Sequence, residues 1–293
     1  MAGSTTIRPA PAPASGRRAT RRWRRRLARW LAVALIAAGM LALADGAVTL
    51  LWQEPISALI AKIRQDRLGG ELRHAEAVRP TAAEERALEG IAGQRARIAY
   101  LARLQQHSAR PGSAVGRILI PSIGSDFVVV YGTGTSELES GPGVYTPATF
   151  PGTGFPGSGA TTAIAGHRTT YLAPFRDIDR LRPGQTVTLQ MPYAHLTYTV
   201  VGQRIVQPRD VHAAIADVGY ERLVLSACTP LFSAAKRLLV YAKLTRVVPE
   251  GAARLLLGGQ LARPLEYPLH PSAPRQLPPV LESLAPYYVA PPS

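Results

Sequence analysis

The sequence predicts an all-β body, a closed sheet or a sandwich, set behind one membrane-spanning helix and a helical juxtamembrane segment. Three observations predict it. From Gly116 onward, seven short apolar runs are separated by Gly and Pro, the pattern of short strands joined by tight turns. From Leu27 to Trp52 the chain is almost wholly apolar, behind a cluster of arginines. Between these, residues 53–112 are rich in Ala, Glu, Arg and Gln, a composition that favours helix.

Residues 1–26 form a basic arm. Nine arginines fall within the first 29 residues with no acid among them. The rest of the arm is mostly Pro, Ala, Ser and Thr, which predicts disorder. The formal charge of +15 is therefore unevenly spread, since 25 basic and 19 acidic side chains remain beyond residue 29. A basic arm can bind nucleic acid, but this one abuts an apolar segment. That position points to a membrane and to no nucleic-acid partner. Residues 27–52 read as the anchor: Trp30 to Trp52 is 23 residues, enough to span a bilayer as a helix. The two tryptophans stand where interfacial anchors stand, and the arginines hold the N-terminus in the cytoplasm. Ala42-Leu43-Ala44 also fits a signal-peptide cleavage site, yet the apolar run continues through Val48, Leu50 and Leu51. Asp45 is costly in a span and is expected near its outer interface.

Residues 53–112 are expected to be a helical extracellular spacer. Leu88, Ile91, Ile98 and Leu101 recur at spacings of three and seven, which reads as an amphipathic helix; the alternative to a spacer is a helix that packs on the body or pairs with another copy. Pro80-Thr81 with Glu84 marks a helix start. The body, residues 113–250, carries predicted strands at 117–120, 127–131, 161–165, 186–190, 196–206, 222–227 and 238–247. The tail, residues 251–293, has nine prolines from Pro264 on and is expected to be disordered and polyproline-like.

The chemistry centres on the only cysteine in 293 residues. Cys228 ends the apolar run Leu223-Val224-Leu225-Ser226-Ala227-Cys228. Arg237 follows nine residues later, and His167 ends another apolar run 61 residues upstream. A thiolate attacks an amide carbonyl to form a thioacyl intermediate. It needs a cationic or basic neighbour at neutral pH, and an imidazole can hand a proton to the leaving amine. A guanidinium stabilises the negative oxygen of the tetrahedral intermediate or holds the substrate backbone. One cysteine excludes an internal disulfide framework. The six histidines are scattered with no zinc spacing, so no metal is expected. Glu137, Glu139, Asp177 and Asp179 form short acidic pairs that fall far short of a calcium loop and read as solvated acids.

The strings Ala163 to Tyr171 and Leu223 to Arg237 resemble the two signature blocks of the sortases, membrane-anchored cysteine transpeptidases of Gram-positive bacteria. The form Gly166-His167-Arg168-Thr169-Thr170-Tyr171-Leu172-Ala173-Pro174-Phe175 is most similar to the class E sortases of actinobacteria. The resemblance covers about residues 113–250. It implies a closed Greek-key β-barrel of about eight strands with short helices, which would bring His167, Cys228 and Arg237 together. It also implies a reaction: cleavage of a C-terminal LPxTG-type sorting motif, LAxTG for class E, between Thr and Gly. The protein is then transferred to an amine of a cell-wall precursor, the peptide stem of lipid II. Its partners would be secreted proteins bearing that signal, the precursor and the membrane, and it needs no cofactor. Tyr171, Thr229, Pro230 and Ala227 are expected at the substrate groove, with Leu172 and Phe175 close by. The family usually has Thr where this chain has Ala227. No Asp-Pro-aromatic lid precedes the barrel, which favours wall attachment over pilus building. The other readings of the same residues are a cysteine peptidase with water as acceptor and a membrane-anchored binding domain with a lapsed site.

Overall fold

A computed structural model describes residues 16–51, 55–78, 81–251, 253 and 264–267. The chain divides into two compact units, residues 1–52 and 53–293.

In the first unit, helix α1 (Gly16–Leu51) runs through the apolar segment. Residues 26–46 of α1 are long and apolar enough to cross a membrane, with a mean hydropathy of 2.0. Trp30 and Leu43 are among its exposed large side chains, as suits a helix that meets lipid. Asp45 lies one residue from the end of that stretch, and Trp52, expected to anchor the far end, lies outside the described residues. The expectation of a disordered arm over 1–26 needs correction. Residues 16–26 are already helical, because Ala and Arg are good helix formers and extending a formed helix is cheaper than starting one. The remainder of the arm, 1–15, lies outside the described residues.

In the second unit, three helices precede the sheet: α2 (Pro55–Ala77), α3 (Ala82–Glu89) and α4 (Gln94–Ser108). Thr81 caps α3 in a capping box with Glu84, two backbone donors being satisfied reciprocally. The single amphipathic helix expected around Leu88–Leu101 is in fact two. Gly93, at φ +86°, breaks it, a conformation glycine adopts without steric penalty. Leu88, Ile98, Leu101 and Ala102 are buried in the main core. Leu68 and Leu72 of α2 pack on Val128 and Val130. These helices are therefore built into the folded unit, and the spacer reading of 53–112 is corrected accordingly.

The sheet contains β1 (Ala114–Ile120), β2 (Ser125–Tyr131), β3 (Gly143–Val144), β4 (Thr161–Ala165), β5 (Thr186–Met191), β6 (Ala194–Val206), β7 (Arg222–Thr229) and β8 (Lys236–Pro249). Neighbours run β6-β5-β1-β2-β3-β4-β7-β8, and β8 pairs back onto β6, so eight strands close into a barrel. Seven correspond to the predicted runs. The eighth, β3, has two residues and no alternation to detect. A short helix, α5 (Thr135–Leu138), follows β2, and another, α6 (Val211–Ile215), precedes β7. Inward positions such as Ile118, Leu189, Leu196, Leu225 and Val240 form the core. Helix α6 covers part of the outer face of the β4–β7–β8 wall through Ala163, Val224 and Leu239. Most of the tail expected to be disordered lies outside the described residues, but 264–267 are described. Leu265–Glu266 form β9 on the edge of β8. Arg246 pairs with Glu266 at 3.1 Å, and Arg95 stands over the Tyr267 ring at 5.4 Å. These residues lie between Pro264 and Pro268 and keep the backbone donors that proline lacks.

Candidate active site

Three adjacent strands set the site. β4 and β7 run parallel, with Thr161 opposite Arg222 through to Ala165 opposite Ser226. The pairing continues one residue further, because the Gly166 N–H donates to the Ser226 carbonyl at 3.0 Å. His167 therefore leaves β4 level with Cys228 on β7. β7 and β8 run antiparallel, and Cys228 lies directly opposite Arg237.

Strand alternation then decides which face each side chain takes. Ile164, Leu223, Leu225, Ala227, Leu238 and Val240 fill the interior. Ala163, Val224 and Leu239 lie on the outer face beneath α6. By the same parity His167, Cys228 and Arg237 share that outer face, beyond the part that α6 covers. Cys228 and His167 are half-buried there. Arg237 donates through Nη1 to the carbonyls of Ala234 and Lys236, at 2.9 and 3.1 Å, which ties the guanidinium to the loop between β7 and β8.

The surroundings tune the groups. Burial holds the His167 pKa below the ordinary imidazole range, and the Glu139 carboxylate opposes that shift. Tyr171 stands beside it, ring centroids 5.3 Å apart. The Tyr145 hydroxyl donates to Ser226 Oγ at 3.4 Å. Burial raises its pKa, the Ser226 bond and the Arg237 charge oppose this, and Cys228 adds to it. Tyr145 thus lies within electrostatic reach of both Cys228 and Arg237.

The loop after His167 is held in an unfavourable shape. Tyr171, Leu172 and Ala173 have φ of +50°, +63° and +43°. Such left-handed conformations cost on the order of 1–3 kcal/mol each for residues with a Cβ, so the surroundings must enforce them. The Ala173 N–H donates to Thr170 O at 2.8 Å and the Phe175 N–H to His167 O at 2.9 Å. Arg168, 4% exposed, fastens the loop from below. It donates to Arg176 O at 3.0 Å and to Thr229 Oγ1 at 3.5 Å. Its Nη2 lies 2.7 Å from Asp179 Oδ1 but out of hydrogen-bond alignment, so that contact is an ion pair and not a directed bond.

The structure thus gathers Cys228, His167, Arg237 and Tyr171. Pro230 is exposed just beyond Cys228. Ala227 and Thr229 are 3% and 8% exposed. The Ala227 methyl lies among the core side chains and Thr229 receives the Arg168 contact, so both sit on the opposite side of β7 from Cys228. Phe175 is fully buried and closes the barrel end, while Leu172 borders a cavity of about 440 Å³ against α2. Sequence reasoning missed Tyr145, whose orientation follows from the two-residue β3, and Arg168, a charge that reads as surface until the loop folds over it. Glu139, read as a solvated acid, instead accepts from Arg64 at 3.0 Å and from Tyr171 at 3.2 Å. Among the described residues no group of three or more His, Cys, Asp or Glu is gathered to hold a metal ion.

Residues 118–245 match the family described as Sortase domain. Over this stretch the chain is similar to the sortases. The chain is 30% identical over 135 residues to Sortase D of Bacillus subtilis (strain 168), covering 45% of this chain. The match spans 64% of that relative's length. Among solved structures, the sortase E from Streptomyces avermitilis is 32% identical, with 48% of this chain and 93% of that one covered and a TM-score of 0.41. The SrtF sortase from Corynebacterium diphtheriae is 28% identical, with 48% and 89% covered and a TM-score of 0.44.

Proposed function

We propose that this protein is a single-pass membrane sortase: a cysteine transpeptidase, most similar to class E, that acts on secreted proteins with an LAxTG-like C-terminal signal. The observation that supports it most is the placement of Cys228, His167 and Arg237 on one outer face at three neighbouring strand ends. The Cys228 thiolate attacks the carbonyl of the motif's Thr, and the oxygen becomes negative. Arg237 stabilises that oxygen or holds the motif's backbone. The tetrahedral intermediate collapses, the Thr–Gly C–N bond breaks, and His167 gives its proton to the departing Gly amine. An incoming amine, that of the lipid II peptide stem, attacks the thioester while His167 takes up its proton. The new amide forms and the Cys228 sulfur leaves. A thiol at a strand end with an imidazole at the start of the adjacent loop supports such a two-step transfer.

The full chain in detergent, incubated with an LAxTG peptide with and without a small amine, tests this. Thr–Gly cleavage, transfer to the amine, and loss of both in Cys228→Ala are expected. Free acid as the sole product even with amine present would replace the transpeptidase with a peptidase. An intact LAxTG and LPxTG peptide would overturn the reading.

A further inference from the structure

The chain of contacts that begins on the juxtamembrane helix ends on His167. Gln65 of α2 grips the barrel backbone. Its Nε2 donates to the Val128 and Ser140 carbonyls at 3.0 and 2.7 Å, and its Oε1 accepts from the Val128 N–H at 2.8 Å. A side chain in this position completes β2 as a neighbouring strand would. Gly141 makes the approach possible, because a Cβ there would collide with the Gln65 amide. One residue away, Arg64 Nη1 reaches Glu139 Oε2 at 3.0 Å. The other oxygen, Oε1, accepts from the Tyr171 hydroxyl at 3.2 Å. The Tyr171 ring then stands 5.3 Å from the His167 ring, at the start of the left-handed run. Glu139 is thus held from two sides, by a helix that precedes the barrel and by the loop that carries the imidazole.

We infer that Glu139 is a positioning residue for His167, acting through Tyr171, and that the juxtamembrane helix α2 holds Glu139 in place through Arg64. Glu139 touches neither Cys228 nor the imidazole by any hydrogen bond above, so its effect is on where His167 sits and how readily it holds a proton. Around His167 stand Tyr171 of its own loop and the Glu139 carboxylate that follows α5, with Arg64 behind that carboxylate; Cys228 and Arg237 lie at the neighbouring strand ends, with Tyr145 near those two. Glu139 is the carboxylate among them, and it opposes the effect of burial on the imidazole. In turn, Arg64 and then Tyr171 hold the Glu139 carboxyl below the usual range, so it stays ionised where His167 titrates. The inference rests on the reading of His167 as the acid–base group. It adds that α2, which follows the apolar helix in the chain, is part of the working site, so that releasing α2 weakens catalysis without touching a reacting atom.

The test uses the full chain in detergent and the variants Glu139→Gln, Tyr171→Phe, Arg64→Met and Arg64→Lys. Three readouts are taken: the His167 titration by NMR, assigned with His167→Asn; the pH profile of Cys228 alkylation by iodoacetamide, clean because the chain has one cysteine; and kcat and KM for the LAxTG peptide. Losing the carboxylate removes the influence that raises the His167 pKa, so its midpoint moves to lower pH in Glu139→Gln and by less in Tyr171→Phe. Alkylation near neutral pH slows in parallel. kcat falls roughly three- to tenfold with KM nearly unchanged, a part of the ~10²–10⁴ that a positioned acid–base group supplies. Arg64→Met lowers kcat as Glu139→Gln does but does not share its fall in the His167 midpoint, since the carboxylate remains; Arg64→Lys restores most of the lost kcat, and the Arg64→Met/Glu139→Gln double variant is no worse than Glu139→Gln. A His167 midpoint and an alkylation profile unchanged in Glu139→Gln overturn the inference. A full effect in Glu139→Gln with none in Arg64→Met overturns the role of α2. If the wild-type chain cleaves neither peptide, the functional proposal fails, while the His167 titration still decides the present one.

Discussion

Gly166→Ala is the substitution whose consequence can be worked furthest from the structure. Gly166 is the last residue before His167, and a Cβ placed on it would lie 2.6 Å from Phe175 Cδ2 and 2.9 Å from Cε2 and Cγ. Carbon atoms in contact prefer about 3.5–4.0 Å, so the ring must withdraw by roughly 1 Å. Phe175 is fully buried, and overpacking of a filled interior costs about 1–3 kcal/mol. The ring cannot move alone, because the Phe175 N–H donates to the His167 carbonyl at 2.9 Å. Displacement of the imidazole on the order of 1 Å can cost about 10²-fold in rate. Expected, then, are a lower melting temperature and a loss of kcat/KM near 10²-fold, with Cys228 still alkylated. Gly166→Ala/Phe175→Leu, which shortens the opposing side chain, should recover part of both. Peptide cleavage and thermal melting measure these. Activity within about threefold of wild type, with an unchanged melting point, would refute the argument that this glycine is needed for ring clearance.

Other outcomes follow from the same geometry. Arg237→Ala should lower kcat by about 10²-fold, the loss seen when one donor to a developing oxyanion is removed, while Cys228 remains reactive; single-turnover kinetics separate the two. Burial holds the His167 pKa below its ordinary value of 6.5, so the acidic limb of the kcat/KM profile should lie below the usual imidazole range, read directly from rates against pH. Glu221 is buried and accepts from Gly157, from Gly159 at 3.1 Å and from the Tyr198 hydroxyl at 2.8 Å; an amide has one acceptor for these donors, so Glu221→Gln should cost about 1–3 kcal/mol. Burial nevertheless raises the Glu221 pKa above 4.5. The carboxyl's contribution is then full below the unfolded value and is lost as pH rises through the folded one, so the gap between wild type and Glu221→Gln in urea unfolding should narrow with rising pH. Gln65→Ala should leave the barrel folded and increase amide exchange across residues 57–77, since three hydrogen bonds to the barrel disappear.

The strands, the membrane-length helix and the reacting types were legible in the sequence for a common reason: each is a local pattern. Seven of eight barrel strands alternate or run apolar between turn residues, and their limits fell within a few positions of those observed, as Thr161–Ala165 shows. The cysteine, histidine and arginine stood at run ends, where strands meet loops. β3 was not legible, because two residues carry no period, and with it went the orientation of Tyr145. The break at Gly93 was hidden by apolar residues that keep helical spacing across it.

By itself, then, the sequence determined the composition of the site and the kind of element each member ends. Tertiary structure alone decided which faces they share. Parallel pairing of β4 with β7 and antiparallel pairing of β7 with β8 place His167, Cys228 and Arg237 side by side. Strand parity turns Ala227 and Thr229 to the other side. Only the docking of α2 brings Arg64 to Glu139 across 75 positions of chain, turning an acid that read as solvated into a neighbour of the histidine loop. Periodicity reports which side of an element is buried, but not what covers it, and an ion pair between distant segments leaves no trace in the spacing of either.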